Sequence, residues 1–411
     1  MIKHWIWLTT RKGIGTHGVA ELLRLFGTAE RIYALTKREC EETEGFQRRW
    51  LEPILDKDTS YAEKILIDCD NKEFQVLTYC DELYPERLRN IPDPPAVLYY
   101  IGRLPRFDEE AVIGVIGTRN GSVYGMMQAM QFANLIATSG GIVVSGGAKG
   151  IDAMATNGAL NSLMPTVCVL GSGLDVLYPR CNKEMFQNVI YHGCLISEYP
   201  PGTPPLAVNF PQRNRIISGL SLGVLVVEAP EKSGALITAN YALEQGRDVF
   251  AVPANVGVKH SAGSNRLLRE GATMVSDGWE VLSEYQHLFP DKLADGRCVQ
   301  TMEKLHHKRC CDSMQVYSPV VIPHEPYDSF AAPLDKKELD KPPVKAYIDE
   351  NDPQLTDNER TILSLFQAQP LHTDSLVARS KLPAQTVLST LTILQIKRKV
   401  EKLSGNYYQR L

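Results

Sequence analysis

Between Ala111 and Val275 the chain alternates short, continuously apolar runs with helical stretches, and no other feature constrains its fold as tightly. The runs lie at 111–116, 142–144, 166–170, 194–196, 223–227, 249–252 and 272–275. Between them fall helical patterns such as 126–138, 151–160 and 235–245. Runs this short, without polar alternation, belong to strands buried on both faces, which is the habit of a parallel sheet covered by helices. The expected fold class is α/β, an extended Rossmann-like, doubly wound, mainly parallel sheet.

The flanks read differently. Residues 1–75 are predicted as an N-terminal helical domain, with periodic apolar positions at Val19, Leu22, Leu23, Leu25 and Phe26. Within it Gly13-Ile14-Gly15 has the shape of a helix-hairpin-helix turn, and a helical protein-interaction (SAM-like) domain fits equally. Strand candidates follow at 74–79 and 97–100, so the Rossmann-like domain is assigned to 76–288. Residues 289–354, rich in Pro, Lys and Asp and poor in periodicity, read as a flexible linker. Residues 355–411 regain order. Three helices (357–366, 373–379, 383–396) and a hairpin-like tail (400–408) describe a winged-helix domain.

Composition excludes several classes. A net charge of −4 rules out a uniformly basic nucleic-acid coat, so any nucleic-acid site must be a local cluster. The nine cysteines have no framework spacing, which points to reduced thiols in the cytoplasm. The run His306-His307-Lys308-Arg309-Cys310-Cys311 offers adjacent ligands rather than spaced ones, so no metal is expected. Met1–Trp5 lacks a signal-peptide layout, and no apolar run reaches membrane-spanning length.

The chemistry collects at the turns after strands. The first, 115–125, carries Gly117 and Arg119, but neither the dinucleotide glycine fingerprint nor the Walker lysine. The second, 145–152, carries three glycines with Lys149 and Asp152; Asp152 suits a helix cap as well as a ligand role. The third leads through Gly171-Ser172-Gly173 to Arg180. Then come Arg213, Asn214 and Arg215 at a helix start, and the loop Lys232-Ser233-Gly234, in which Ser233 also suits a helix cap. Glu228 is expected to pair with Arg215 or another arginine rather than act as a catalytic carboxylate, and no catalytic residue is assigned. From 111 to 275 there are 11 Lys+Arg against 9 Asp+Glu, and six of those cations sit at these turns or helix starts. Turns after parallel strands share one edge, so the six are expected along one rim, long enough for a nucleic-acid strand. Tyr124, Tyr178 and Phe210 lie beside them as stacking candidates. The terminal domain is net +4, yet its candidate recognition helix at 383–396 carries no cation. Backbone contact or a protein partner suits it better than base readout.

As a set, these motifs resemble the bacterial DNA-processing protein A family (DprA, also called Smf). The residues that carry the resemblance are Gly117-Thr118-Arg119 with Ser122 and Gly125, Ser145-Gly146 with Gly150-Ile151-Asp152, and Gly171-Ser172-Gly173-Leu174-Asp175 with Tyr178-Pro179. They continue through Phe210-Pro211-Gln212-Arg213-Asn214-Arg215 to Ser221, Glu228-Ala229 with Lys232-Ser233-Gly234, and Ser261–Leu268 with Gly271-Ala272. Thr118 stands where Ser is usual, Ala155-Thr156 where an alanine-histidine pair is usual, and Pro253-Ala254 where Pro-Gly is usual. The resemblance implies a non-enzymatic, cofactor-free protein that binds single-stranded DNA and forms a homodimer. It also implies that the protein loads RecA recombinase onto incoming DNA during natural transformation. It makes Arg119 the chief phosphate ligand, supported by Lys232, with Arg213, Asn214 and Arg215 shaping the pocket. The alternative is an enzyme on nucleotides, of the lysine-decarboxylase-like phosphoribohydrolase type. Its proline-glycine-glycine loop is replaced here by Pro230-Glu231-Lys232-Ser233-Gly234.

Overall fold

The computed structural model describes residues 2–162, 164–297, 356–366, 371–380, 382–397, 399–402 and 407–410. They fall into two units, one ending before and one beginning after residue 332.

The larger unit is built on nine strands: β1 (Gln75–Thr78), β2 (Val97–Gly102), β3 (Val112–Ile116), β4 (Ile142–Ser145), β5 (Thr166–Leu170), β6 (Cys194–Ser197), β7 (Gly223–Val226), β8 (Asp248–Ala251) and β9 (Thr273–Met274). Their spatial order is β1-β2-β6-β5-β4-β3-β7-β8-β9. The seven neighbours from β6 to β9 pair in parallel, while β2 joins β6 and β1 in antiparallel fashion. Every residue of β3 to β7 is buried, which is why the sequence shows runs rather than alternation. On one face Ala129, Phe132 and Ile136 of helix Val123–Thr138 pack on Ile113, Val115 and Val143. On the other, Ile216, Ile217 and Leu220 of helix Asn209–Leu220 and Ala239 of helix Gly234–Glu244 pack on Val112, Val144 and Val224. The doubly wound architecture is therefore borne out.

The N-terminal helices share a core with this sheet. Trp5, Trp7, Ile14 and Trp50 belong to one apolar cluster with Phe186, Val189 and Leu195. The Gly13-Ile14-Gly15 turn forms as its residues suggest, with φ of +88° at Gly13 and +67° at Gly15 around a buried Ile14. Lys72, just past helix Ser60–Asn71, makes a 2.6 Å ion pair with Asp175 in the loop after β5. Residues 289–297 open the expected linker, yet Leu293 is buried and Ala294 N–H donates to the Ser139 carbonyl, so packing extends to Arg297. The rest of that segment, including the His306–Cys311 run, lies outside the described residues.

The smaller unit contains helices Asp357–Leu365, Thr373–Ser380 and Ala384–Ile396, with strands β10 (Leu371–His372), β11 (Val400–Lys402) and β12 (Tyr407–Arg410) in the order β10-β12-β11. Ile362, Leu376, Val387, Leu391 and Tyr408 form its core. Thr356 and Glu359 close a capping box, and Lys397 pairs with the buried Glu359 at 2.7 Å. This is the expected winged helix. Among the described residues no helix is long and apolar enough to cross a membrane.

Candidate nucleic-acid interface

Because β3 has β4 on one side and β7 on the other, the chain winds away from it in opposite directions, and a crevice opens at the carboxyl ends of these strands. A cleft of about 430 Å³ occupies that place. The loop after β3 supplies Gly117 and Arg119, the turn after β4 leads to Asp152, and the loop after β7 supplies Lys232, Ser233 and Gly234. Helix Asn209–Leu220 contributes Phe210, Arg213 and Asn214. A recess of about 40 Å³ continues past Arg119 and Phe210 to Lys149 and Tyr178.

The six turn cations divide into two kinds. Arg119, Lys149, Arg180 and Lys232 are exposed. Arg180 lines neither the cleft nor the recess. Arg213 and Arg215 are only 4% and 5% exposed, so of the six cations expected along one rim two are buried, and Arg119, Lys149 and Lys232 are the exposed ones that line the cleft or its recess. The reason is the depth of helix Asn209–Leu220, which buries all of its residues from Arg215 to Leu220 between sheet and neighbouring helix. Arg213 donates to the carbonyls of Gly146 (2.9 Å) and Val169, tying the ends of β4 and β5. Arg215 forms a two-pronged pair with Glu198, at 2.8 and 2.6 Å, and its Nε donates to the Asp93 carbonyl at 2.9 Å. Both arginines brace the fold beneath the cleft.

The expected Glu228–Arg215 pair is not made. Glu228 accepts instead from the Ser122 N–H and hydroxyl, both at 2.7 Å, and from the Ser261 hydroxyl at 3.3 Å. These bonds hold the start of helix Val123–Thr138 against the loop after β8 and leave the carboxylate, 2% exposed, committed to structure. Sequence reading missed Glu198, although it follows β6 just as Glu228 follows β7. Ser233 caps helix Gly234–Glu244, its hydroxyl accepting from the Ala235 N–H, while the residue still lines the cleft.

Asp152 does not cap its helix, whose N-cap is Gly150; its Oδ1 reaches across and accepts from the Gly117 N–H at 3.2 Å. Burial drives its carboxyl above the usual range, opposed by the Arg213 charge and by the N–H groups of Gly117 and Ala148. Burial likewise pulls Arg213 down, opposed by Asp152. Burial acts on Arg215 in the same direction, but the Glu198 charge and hydrogen bonds carry it above its ordinary value.

Phe210 joins the two kinds of cation. The Arg119 guanidinium lies 5.0 Å from its ring centroid, that of Arg213 lies 5.9 Å away, and the Tyr178 ring is 5.6 Å distant and tilted by 50°. A half-buried, cation-flanked ring in the cleft lining is suited to a base stacked beside its phosphate. Tyr124, also exposed, begins helix Val123–Thr138 and lines neither space.

Fold and cleft together define a doubly wound α/β protein whose switch-point crevice is cationic and aromatic rather than glycine-fingerprinted. Comparison with known proteins narrows this. Residues 75–286 match the family described as DNA recombination-mediator protein A, and residues 349–406 match the DprA winged helix domain. The chain is 34% identical to Protein Smf of Synechocystis over 99% of its own length and 98% of that protein's. It is 41% identical to the DNA processing protein DprA of Bacillus subtilis over 49% of this chain and 68% of that one. The X-ray structure of DNA processing protein A from Streptococcus pneumoniae is similar with a TM-score of 0.61 at 32% identity, covering 69% of this chain and 98% of that one. The chain belongs to the DNA recombination-mediator protein A family, and has the DNA-processing, recombination-mediator role of that family.

Proposed function

We propose that the protein is a cytoplasmic, non-enzymatic binder of single-stranded DNA that protects incoming strands and, as a homodimer, loads RecA recombinase during natural transformation. The observation that carries this reading is Phe210 in the cleft, with the Arg119 guanidinium 5.0 Å from its ring and Lys232 lining the same cleft. Stacking and phosphate neutralisation beside each other are what a flexible single strand offers and a closed duplex does not. Arg119, Lys232 and Lys149 contact phosphate, with Gly117, Ser233 and Gly234 shaping the wall and Asn214 beside them. Arg213 and Arg215 act from below by fixing strand ends and helix. Arg180 extends the track outside the cleft.

The nucleotide-hydrolase alternative is not favoured. Its proline-glycine-glycine loop is replaced here by Pro230-Glu231-Lys232-Ser233-Gly234, and Glu228 just after β7 commits both oxygens to Ser122 and Ser261. A direct test is a salt-titrated binding curve with single- and double-stranded oligonucleotides of graded length. Tight binding should appear only above several nucleotides of single strand, and incubation with nucleoside monophosphates should release no free base. Equal affinity for a mononucleotide and a long strand, or release of base, would refute the reading.

A further inference from the structure

The ring of Phe210 is bracketed by one loop. A Cβ on Gly171 would lie 3.0 Å from Phe210 Cδ1, so the ring rests on the first residue after β5. The same loop meets the ring again at Tyr178, 5.6 Å away between centroids. Phe210 itself is delivered by the segment 198–208, which runs from β6 to helix Asn209–Leu220. The two segments are joined at Asp175. Its Oδ1 accepts from the Gly202 N–H at 2.8 Å, and the Gly173 N–H donates to the Thr203 carbonyl at 2.9 Å. A Cβ on Gly173 would lie 2.8 Å from both Asp175 Oδ1 and the Pro200 carbonyl oxygen, so the segments cross in contact. The Asp175 side chain is 7% exposed, and a carboxylate so placed needs a cation. Lys72 supplies it, its Nζ donating to Oδ2 at 2.6 Å across 103 positions of sequence. Lys72 ends helix Ser60–Asn71, whose Cys69 shares an apolar cluster with Leu174 and Phe186. Neither Lys72 nor Asp175 lines the cleft or its recess.

We propose that Lys72 and Asp175 are positioning residues of the cleft: through the two joined segments they hold the Phe210–Tyr178 pair in the geometry that accepts a base. This rests on the strand-binding reading above and makes that binding depend on the N-terminal helices. Without Lys72 an uncompensated carboxylate is left at the crossing. Relief comes from opening the crossing to water, which draws Gly171 and Tyr178 away from the ring. Arg119, Lys149 and Lys232 stand on the turns after β3, β4 and β7, outside both segments, and stay in place. Loss of the pair therefore removes stacking and spares the phosphate contacts.

The test uses the full chain and fluorescence anisotropy of an end-labelled oligothymidylate, well below the melting temperature. Lys72→Met should weaken binding about three- to tenfold, a part of the stacking contribution, with the salt slope unchanged because no phosphate contact is lost. Lys72→Arg keeps the charge and should restore most of the affinity. In a Phe210→Ala background Lys72→Met should cost nothing further, since the ring it positions is gone; a general loss of stability would add to the Phe210 effect instead. Lys72→Gln keeps a donor for Asp175 without the charge; it should lose less and serves, in the same background, if the methionine variant does not fold. Folded variants that bind as wild type does, a shallower salt slope, or additive losses would overturn the proposal. Failure of the strand-binding reading appears separately, as a wild type that binds no oligonucleotide or binds it equally well without Phe210.

Discussion

Replacing Arg119 by alanine isolates the rim from the floor. Arg119 is exposed and lines both the cleft and its recess, so its loss leaves the buried network of Arg213, Asp152 and Gly117 in place. Two contributions disappear with it. The guanidinium, 5.0 Å from the Phe210 ring, stands where it can also meet the face of a base stacked there, a contact worth about 0.5–1 kcal/mol at an exposed site. One phosphate contact in a solvated groove adds about 1 kcal/mol, the scale of unit charges 4 Å apart in water. Together they amount to about 1.5–2 kcal/mol, or roughly a ten- to thirtyfold weaker Kd. Since one phosphate is no longer neutralised, the slope of log K against log salt for single strands should become shallower by about 0.7. The assay is fluorescence anisotropy of an end-labelled oligothymidylate between low and moderate salt, with thermal denaturation as a control that should not move. An unchanged affinity and slope would remove Arg119 from the interface. A lowered denaturation midpoint would show that its role is structural.

Other variants separate the remaining contributions. Phe210→Ala should weaken strand binding by about 1–3 kcal/mol with no change of salt slope, because stacking releases no counterions; a shallower slope in anisotropy would contradict this. Gly146→Ala places a methyl 2.6 Å from Asp152 Oδ2 and 2.8 Å from Arg213 Nη2 and should cost about 1–3 kcal/mol in urea denaturation, a neutral result arguing against close packing of both groups on Gly146. Glu198→Ala leaves the buried Arg215 unpaired and should destabilise by about 3–5 kcal/mol, read from the urea midpoint. Glu39, bonded to Arg31 and to the Thr36 backbone and hydroxyl, is held at about 2, below its ordinary 4.5. Its folded pKa is depressed, so its contribution is present above pH 4.5 and is lost as pH falls towards 2. Glu39→Gln should therefore lose less stability than wild type between these limits in acid titration of the folded state.

Most of the larger unit's plan is legible in the sequence because burial on two faces removes polar alternation. The run at 166–170 and the helix at 151–160 match β5 and helix Ile151–Leu160 residue for residue. Less legible is β9, where a four-residue apolar run yields only Thr273–Met274, both exposed, because it pairs with β8 on one side and forms the sheet's edge. Edge strands need less apolar surface, so composition says little about their length. The packing of residues 289–297 was hidden for a related reason. Two apolar residues, Phe289 and Leu293, bonds to Ser139 and the ion pairs Lys292–Glu110 and Arg297–Asp277 hold the segment, and none of these leaves a periodic trace.

The site shows a sharper limit. Arg213 and Arg215 stand two apart in one helix and look alike in sequence to Arg119 and Lys232, since a cation at a helix start carries no mark of depth. Depth is set by what each guanidinium meets. Arg215 meets Glu198 in a fork, and Arg213 meets two carbonyl oxygens with the Asp152 charge nearby, so both can be buried without an uncompensated charge. Arg119 lies over a ring face, which tolerates water, and stays outside. Counting cations therefore included two buried arginines in the exposed set, yet the buried pair is what makes the rim usable. Arg213 fixes the ends of β4 and β5, and Asp152 fixes the loop that carries Arg119. A chain with the same exposed cations and no such floor would keep its salt dependence but hold Arg119 and Phe210 in no fixed register. Arg213→Lys tests this: a lysine keeps the charge but cannot bridge the Gly146 and Val169 carbonyls with one rigid fork. It should retain the salt slope while losing affinity and melting lower, whereas a loss of slope at full stability would place Arg213 on the phosphates themselves.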